Sequence, residues 1–258
     1  MPGNPNFNEA KLIATDFDNT YALTSQPAPN GMTVERAYEK AVEEVFGLPE
    51  LEIYKQEGGL HNRAPSEIVA QLSDDTEDGK FSQRTEDLVQ IKLTHLYKQV
   101  GQKLPNGEFW PRIVPGFKGM WETVSADPKV DTGVVSSGHR LFIEKFHDVH
   151  DLELPDHMVT DDDMRPLLAT FPREMCVKPS SILLDWIHAE WLKKYNMRDS
   201  YFLTEDHDRI VYAGDDPVKD GKLAENYGVE FVHVDPAKPQ EAWDRLREFG
   251  KQRLVQQY

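Results

Sequence analysis

Five short apolar runs limit what this chain can fold into more than any other feature: KLIATDFD (11–18), VDTGVVSSG (130–138), REMCVK (173–178), RIVYAGDD (209–216) and VEFVHVD (229–235). Each has the length and near-continuous hydrophobicity of a strand buried on both faces. Between them lie segments with helical spacing. Phe142, Phe146 and Val149 fall at i, i+4, i+7, and Leu183, Ile187 and Trp191 at i, i+4, i+8, with Pro179 suited to the first turn of the second helix. Strands alternating with helices predict an α/β fold, a doubly wound parallel sheet whose ligands bind beyond the carboxyl ends of the strands. Four of the five runs end on polar or charged residues, so Asp16, Asp18, Ser136, Lys178, Asp215 and Asp216 are expected in one crevice.

The alternation stops between residues 24 and 112, where helical patterns replace strand-like runs. Thr33 is placed to cap VERAYEKAVEEVF, with Val34, Ala37 and Ala41 on one face and Gly47 as the stop. A second helix is expected over about 83–101, with Leu93, Leu96 and Val100 on one face. TSQPAPNG (24–31) and LPNGEFWPRIVPG (104–116) are rich in proline and glycine and read as two crossings of a hinge. The expected organisation is a core of residues 1–24 and 112–258 with a helical insert, 25–111, acting as a mobile lid. In EAWDRLREFGKQRL, Trp243, Leu246 and Phe249 mark a helix packed on the sheet, while the acidic patches SDDTED and TDDDM read as solvated loops.

Composition narrows the function. The 258 residues carry 45 acidic against 29 basic side chains, a formal charge of −16, which repels phosphate polymers and predicts no nucleic-acid partner. A phosphate-bearing ligand must then be held by local positive groups. Cys176 is the single cysteine, so neither an intrachain disulfide nor a thiolate metal cluster is possible. The N-terminal residues lack a basic segment followed by an apolar one, and no stretch has the length of a membrane span; a cytoplasmic protein with no membrane partner is expected.

The chemistry lies at the ends of the runs. Asp16 and Asp18 are what a strand-to-turn transition often carries, but residues i and i+2 of a strand face the same way, which brings both carboxylates to one site. Two such carboxylates can divide labour between nucleophile and acid/base. GDDPVKD adds Asp215, Asp216 and Asp220, enough oxygen donors for magnesium together with Asp16 and the Asp18 carbonyl; Pro217 equally suits the start of a helix. Ser136, Ser137 and Gly138 precede a helix, either as plain caps or as an anion site made of a hydroxyl and free backbone N–H groups. Lys178 would pair with the carboxylates and with an incoming phosphate.

The order Asp-x-Asp, Ser, Lys, Gly-Asp-Asp, each at the end of its own run, resembles the haloacid dehalogenase superfamily, whose four motifs match DFDNT, VVSSG, VKPS and GDDPVKD. The insert resembles that family's C1-type cap. The resemblance implies that Asp16 is a nucleophile forming an aspartyl-phosphate and Asp18 the acid/base, with Thr20 fixing the loop. It implies that Ser136, Ser137 and Gly138 bind phosphoryl oxygens and that Lys178 offsets charge. It also implies that Asp215, with Asp16 and the Asp18 carbonyl, holds Mg2+, with Asp216 or Asp220 in support. Tyr21 stands where a small aliphatic is frequent in the family, and the connection from Lys178 to Asp215 is long. A phospho-accepting receiver domain also clusters aspartates, a hydroxyl and a lysine, but it places the lysine last and has no helical insert.

The expectation is therefore an enzyme, a magnesium-dependent phosphatase acting on a small phosphorylated metabolite. A C1-capped phosphomutase and a non-catalytic regulatory protein on the same scaffold are the alternatives. In the insert, GGLHNRAPSEI (58–68) offers His61, Asn62 and Arg63 either as readers of the substrate or as an interhelical loop with no ligand.

Overall fold

A computed structural model describes residues 7–59, 65–73, 78–168, 171–197 and 204–252. Strands β1 (Lys11–Thr15) and β2 (Ala22–Leu23) precede helices α1 (Val34–Phe46), α2 (Leu48–Gln56), α3 (Pro65–Leu72) and α4 (Asp78–Tyr97). The chain continues through β3 (Arg112–Ile113), α5 (Phe117–Ser125), β4 (Val130–Val135), α6 (Arg140–His150), β5 (His157–Val159), α7 (Asp161–Leu168) and α8 (Arg173–Cys176). It ends with α9 (Ile182–Lys194), β6 (Ile210–Gly214), α10 (Asp220–Tyr227), β7 (Glu230–His233) and α11 (Gln240–Lys251). The chain divides into two compact units, residues 1–23 with 112–258, and residues 24–111.

In the first unit five parallel strands run in the order β5-β4-β1-β6-β7. The central strand β1 is wholly buried because β4 and β6 pair with both of its edges and helices cover both of its faces. Its residues Leu12 and Ala14 pack with Leu183, Ile187 and Trp191 of α9 and Leu223 and Ala224 of α10. The opposite face is covered by α5 and α11, where Trp121, Trp243 and Leu246 are fully buried. α11 is buried through Trp243, Leu246 and Phe249, the face its spacing predicts. β2 and β3 pair antiparallel, Ala22 with Ile113 and Leu23 with Arg112, where the chain leaves and re-enters this unit.

Several expectations need correction. REMCVK is not a strand: residues 173–176 form α8, started by the fixed φ of Pro172, whose carbonyl accepts the Met175 N–H at 3.0 Å as a helical turn requires. Met175 is 44% exposed, so the run lacks the two buried faces a central strand needs. The fifth strand is instead His157–Val159, three residues too short and too polar in context to stand out. α9 begins at Ile182, so Pro179 lies in the turn before it rather than in its first turn. TDDDM is not a loop but the start of α7: Asp163 accepts from the Thr160 N–H and hydroxyl, each at 2.9 Å, and pairs with Arg140 at 2.9 Å. Acidic side chains there satisfy the unpaired N–H groups of a helix N-terminus. The SDDTED patch lies mostly outside the described residues.

The second unit is helical among its described residues. Thr33 caps α1 by accepting the Arg36 N–H at 3.2 Å, and Gly47, at φ 108°, takes the turn into α2 that a side chain would resist. Tyr38, Ala41 and Val42 of α1 form a core with Leu51 and Tyr54 of α2, Ile68 and Val69 of α3, and Leu88 of α4. α4 begins at Asp78, earlier than its periodicity predicts. No helix among the described residues is long and apolar enough to cross a membrane.

Candidate active site

The ends of β1, β4 and β6 are adjacent because those strands are neighbours in the sheet, and the chain turns there into segments rich in carboxylates. Asp16 follows β1 directly, with its N–H donating to the Ala213 carbonyl at 2.7 Å, so the ladder to β6 continues one residue into the site. Asp16 is 7% exposed and Asp220 only 2%. Between them the Lys178 ammonium donates to Asp16 Oδ1 at 2.6 Å and to Asp220 Oδ1 at 2.8 Å.

Thr20, fully buried, joins Asp16 to the end of β6. Its hydroxyl lies 3.4 Å from both Asp16 Oδ2 and Asp215 Oδ1 and accepts the Asp215 N–H at 3.0 Å. Asn19, at φ 57°, makes the tight turn that brings Thr20 back to the site. Ser136, at the end of β4, is fully buried; its hydroxyl lies 3.5 Å from Asp18 Oδ2 and accepts the Gly138 N–H at 2.9 Å. That N–H is thus engaged by the serine hydroxyl, which matches the capping alternative of the two that VVSSG offers. A Cβ on Gly138 would sit 3.2 Å from Ser136 Oγ and 3.5 Å from Asp18 Oδ2, so glycine lets this loop approach the aspartate. Ser137 is exposed.

The two aspartates of GDDPVKD that the sequence could not separate have different places. Asp216 Oδ1 accepts the Val218 and Lys219 N–H groups at 2.8 and 3.0 Å, which turns its carboxylate onto the start of the next helix. Asp220 points back into the site, its Oδ2 accepting the Asp216 N–H at 3.2 Å. Oxygen atoms of Asp16, Asp215 and Asp220 all lie within 4.8 Å of one another. His61, Asn62 and Arg63 lie outside the described residues.

Burial pushes the Asp16 carboxyl up to about 8, with Asp220 and Asp18 adding to the rise against the pull of Lys178. Burial, followed by repulsion from Asp220, likewise raises Asp215 to about 6. Lys178 holds its proton well above the usual lysine range: burial opposes its charge, and Asp16, Tyr212 and Asp220 more than offset that. One ammonium therefore does not neutralise this carboxylate group. A hard divalent cation fits the all-oxygen donor set of Asp16, Asp215 and Asp220 and would relieve their mutual repulsion.

A second cluster, His139 with Asp161 and Asp162, also lies within ligand reach. Helix-end hydrogen bonding accounts for it: Asp162 accepts the Arg140 N–H at 2.8 Å, and His139 Nδ1 lies 3.3 Å from the same carboxylate.

Sequence reasoning passed over Tyr212. It reads as one more apolar residue of RIVYAGDD, yet its hydroxyl donates to Asp220 Oδ1 at 3.1 Å. The signal available was a hydroxyl-bearing aromatic in a strand otherwise made of aliphatic and small residues.

A scan against protein-family models and a search of curated proteins found no match. Solved structures do match. The chain is similar to CbbY from Rhodobacter sphaeroides in complex with phosphate, with TM-score 0.51 and 14% identity over 87% of this chain and 86% of that one. The same figures hold for a mutant of that protein in complex with xylulose-(1,5)bisphosphate. It is also similar to β-phosphoglucomutase from Clostridium difficile, with TM-score 0.51 and 9% identity over 90% and 88% of the two chains. With these structures the chain shares its fold, a parallel-sheet core flanked by helices and interrupted by a helical insertion.

Proposed function

We propose that the protein is a magnesium-dependent phosphatase that hydrolyses a small phosphomonoester through an aspartyl-phosphate on Asp16. The observation that carries this reading is the one ammonium of the site, Lys178, held between the buried carboxylates of Asp16 and Asp220, with Asp215 joined to Asp16 through Thr20. A purely structural ion pair needs one carboxylate per lysine; a surplus of buried carboxylates around a lysine is the arrangement of a site that handles charge.

In this reading the Asp16 carboxylate attacks phosphorus, and the bond from phosphorus to the ester oxygen breaks. Asp18 gives its proton to the departing oxygen. It then takes a proton from water, whose oxygen attacks the same phosphorus and frees Asp16 and inorganic phosphate. Ser136 faces Asp18 and holds the phosphoryl oxygens, and Lys178 offsets the charge that develops on them. Asp16, Asp215 and Asp220 would hold Mg2+, which as a Lewis acid offsets charge on the transferring group.

The test is phosphate release from a panel of small phosphomonoesters, with magnesium and with chelator. Turnover that needs magnesium supports the reading. A chain that interconverts phosphate positions on a sugar without net release would be a mutase, and silence across the panel would favour a binding role.

A further inference from the structure

Lys178 carries four rotatable side-chain bonds, and ordering such a chain in one place costs conformational entropy that some contact must offset. Asp16 cannot be the whole of that contact if it is also to react. The other restraint is Asp220, whose position is itself fixed from three sides. Its Oδ2 accepts the Asp216 N–H, and its Oδ1 accepts both Lys178 and the Tyr212 hydroxyl. Tyr212 is fully buried in β6, and its ring presents a face to Lys178 Nζ at 5.5 Å from the centroid. Its single hydroxyl hydrogen has two acceptors in reach, Asp220 Oδ1 at 3.1 Å and the Val135 carbonyl at 3.4 Å; the nearer, carboxylate oxygen is the stronger acceptor.

We propose that Tyr212 is a positioning residue for the lysine of this site: its hydroxyl orients Asp220 Oδ1, its ring faces the ammonium, and together they hold Lys178 against Asp16. The inference rests on the phosphatase reading. Tyr212 touches no reacting atom and acts through Asp220 and Lys178. Filling the core needs only the ring, which packs among Leu12, Leu223 and neighbouring apolar side chains and would serve as well in phenylalanine.

Tyr212→Phe keeps the ring and removes the hydroxyl. It should lower kcat about tenfold, equivalent to about 1.4 kcal/mol, while KM stays within about twofold. In a double-mutant cycle with Asp220→Asn, the combined loss should fall short of the product of the single losses, because both changes break one chain of contacts. Reaction of Lys178 with an amine-modifying reagent, read by mass spectrometry, should rise severalfold in Tyr212→Phe while other lysines react as in the wild type.

Unchanged kcat together with unchanged Lys178 labelling overturns the proposal, as does a full product of losses in the cycle. If the wild type releases no phosphate from any ester, the phosphatase reading fails, and the labelling still decides the role of Tyr212. Should Tyr212→Phe fail to fold, 3-fluorotyrosine at this position alters donor strength without changing the ring's packing. A change in kcat at constant KM would then support the proposal, and no change in either would overturn it.

Discussion

Gly214 closes β6 immediately before Asp215, and its hydrogen in place of a side chain is what leaves room for Asp220. A Cβ built there would lie 2.3 Å from Asp220 Oδ2, 2.4 Å from Cγ and 2.5 Å from Cβ, all well under the 3.0 Å that real contacts respect. The clash includes the root of the aspartate side chain, so rotating its tip does not relieve it. Gly214→Ala must therefore either push β6 out of line or move Asp220 away from Lys178. Overfilling a packed core costs typically 1–3 kcal/mol. At about 2–4 °C per kcal/mol for a chain of this size, a midpoint of the cost lowers the melting temperature by about 4–8 °C. Displacing one partner of a buried pair costs roughly 3 kcal/mol, which corresponds to about a hundredfold in kcat if Lys178 serves the reaction. Gly119→Ala is the control: nothing lies within 4 Å of its Cβ, and inside α5 alanine should add about 0.5–1 kcal/mol of stability. Differential scanning calorimetry and phosphate release on the two variants measure both effects. A Gly214→Ala protein with the stability and activity of the wild type would refute the assignment of that space to Asp220.

Three further outcomes follow from other parts of the structure. Magnesium should raise the melting temperature of the wild type, by the equivalent of about 2.7 kcal/mol at a hundredfold excess over Kd, and Asp215→Asn should abolish the shift. Burial lowers His147 to about 4, and its Nδ1–H donates to the Glu153 carbonyl, so Nε2 accepts from the Tyr21 hydroxyl at 3.0 Å. Because the folded value lies below the ordinary 6.5, this contribution is present above pH 6.5 and is lost as pH falls towards 4. It amounts to at most roughly 3 kcal/mol, and urea unfolding of wild type and His147→Gln across that window should show a shallower slope in the variant. Asp131, at the opposite end of β4 from Ser136, accepts from Trp191 Nε1 at 2.8 Å and Tyr195 OH at 2.7 Å and pairs with Lys194. Asp131→Ala should cost about 1–3 kcal/mol in denaturant melts and leave kcat per folded molecule unchanged.

The parallel sheet was legible because burial on both faces forces long hydrophobic runs, and β1, β4 and β6, buried at every position, carry them; β7, at the sheet edge with Glu230 and His233 exposed, shows through the valines and phenylalanine between its polar residues. β5 was not, since a three-residue strand with His157 at its head has no room for a pattern. REMCVK misled for the opposite reason: an apolar run of strand length is also what a single helical turn contains, and Pro172 rather than hydrophobicity decided between them. In the site, the meeting of Asp16 and Asp215 could be read from strand ends, whereas Lys178 reaches Asp16 from the turn after α8 and not from the end of a strand. The separation of Asp216 from Asp220 could not be read, because it depends on which carboxylate reaches the Val218 and Lys219 amides first, a matter of turn geometry. Tyr21 departs from the pattern of the family that the motifs resemble, and the structure gives it a local use: stacked on Phe117 with centroids 4.2 Å apart, its hydroxyl reaches His147 Nε2 at 3.0 Å.

The claim on which the account turns is that Asp16 itself carries the phosphoryl group. The most direct measurement is to quench the protein during turnover, reduce it with borohydride, which converts an acyl phosphate to an alcohol, and map the change by peptide mass spectrometry. The account predicts homoserine at position 16, formed only when substrate and magnesium are both present and absent from Asp16→Asn. Turnover with Asp16 unreduced, or an Asp16→Asn protein that still releases phosphate at the wild-type rate, would contradict it.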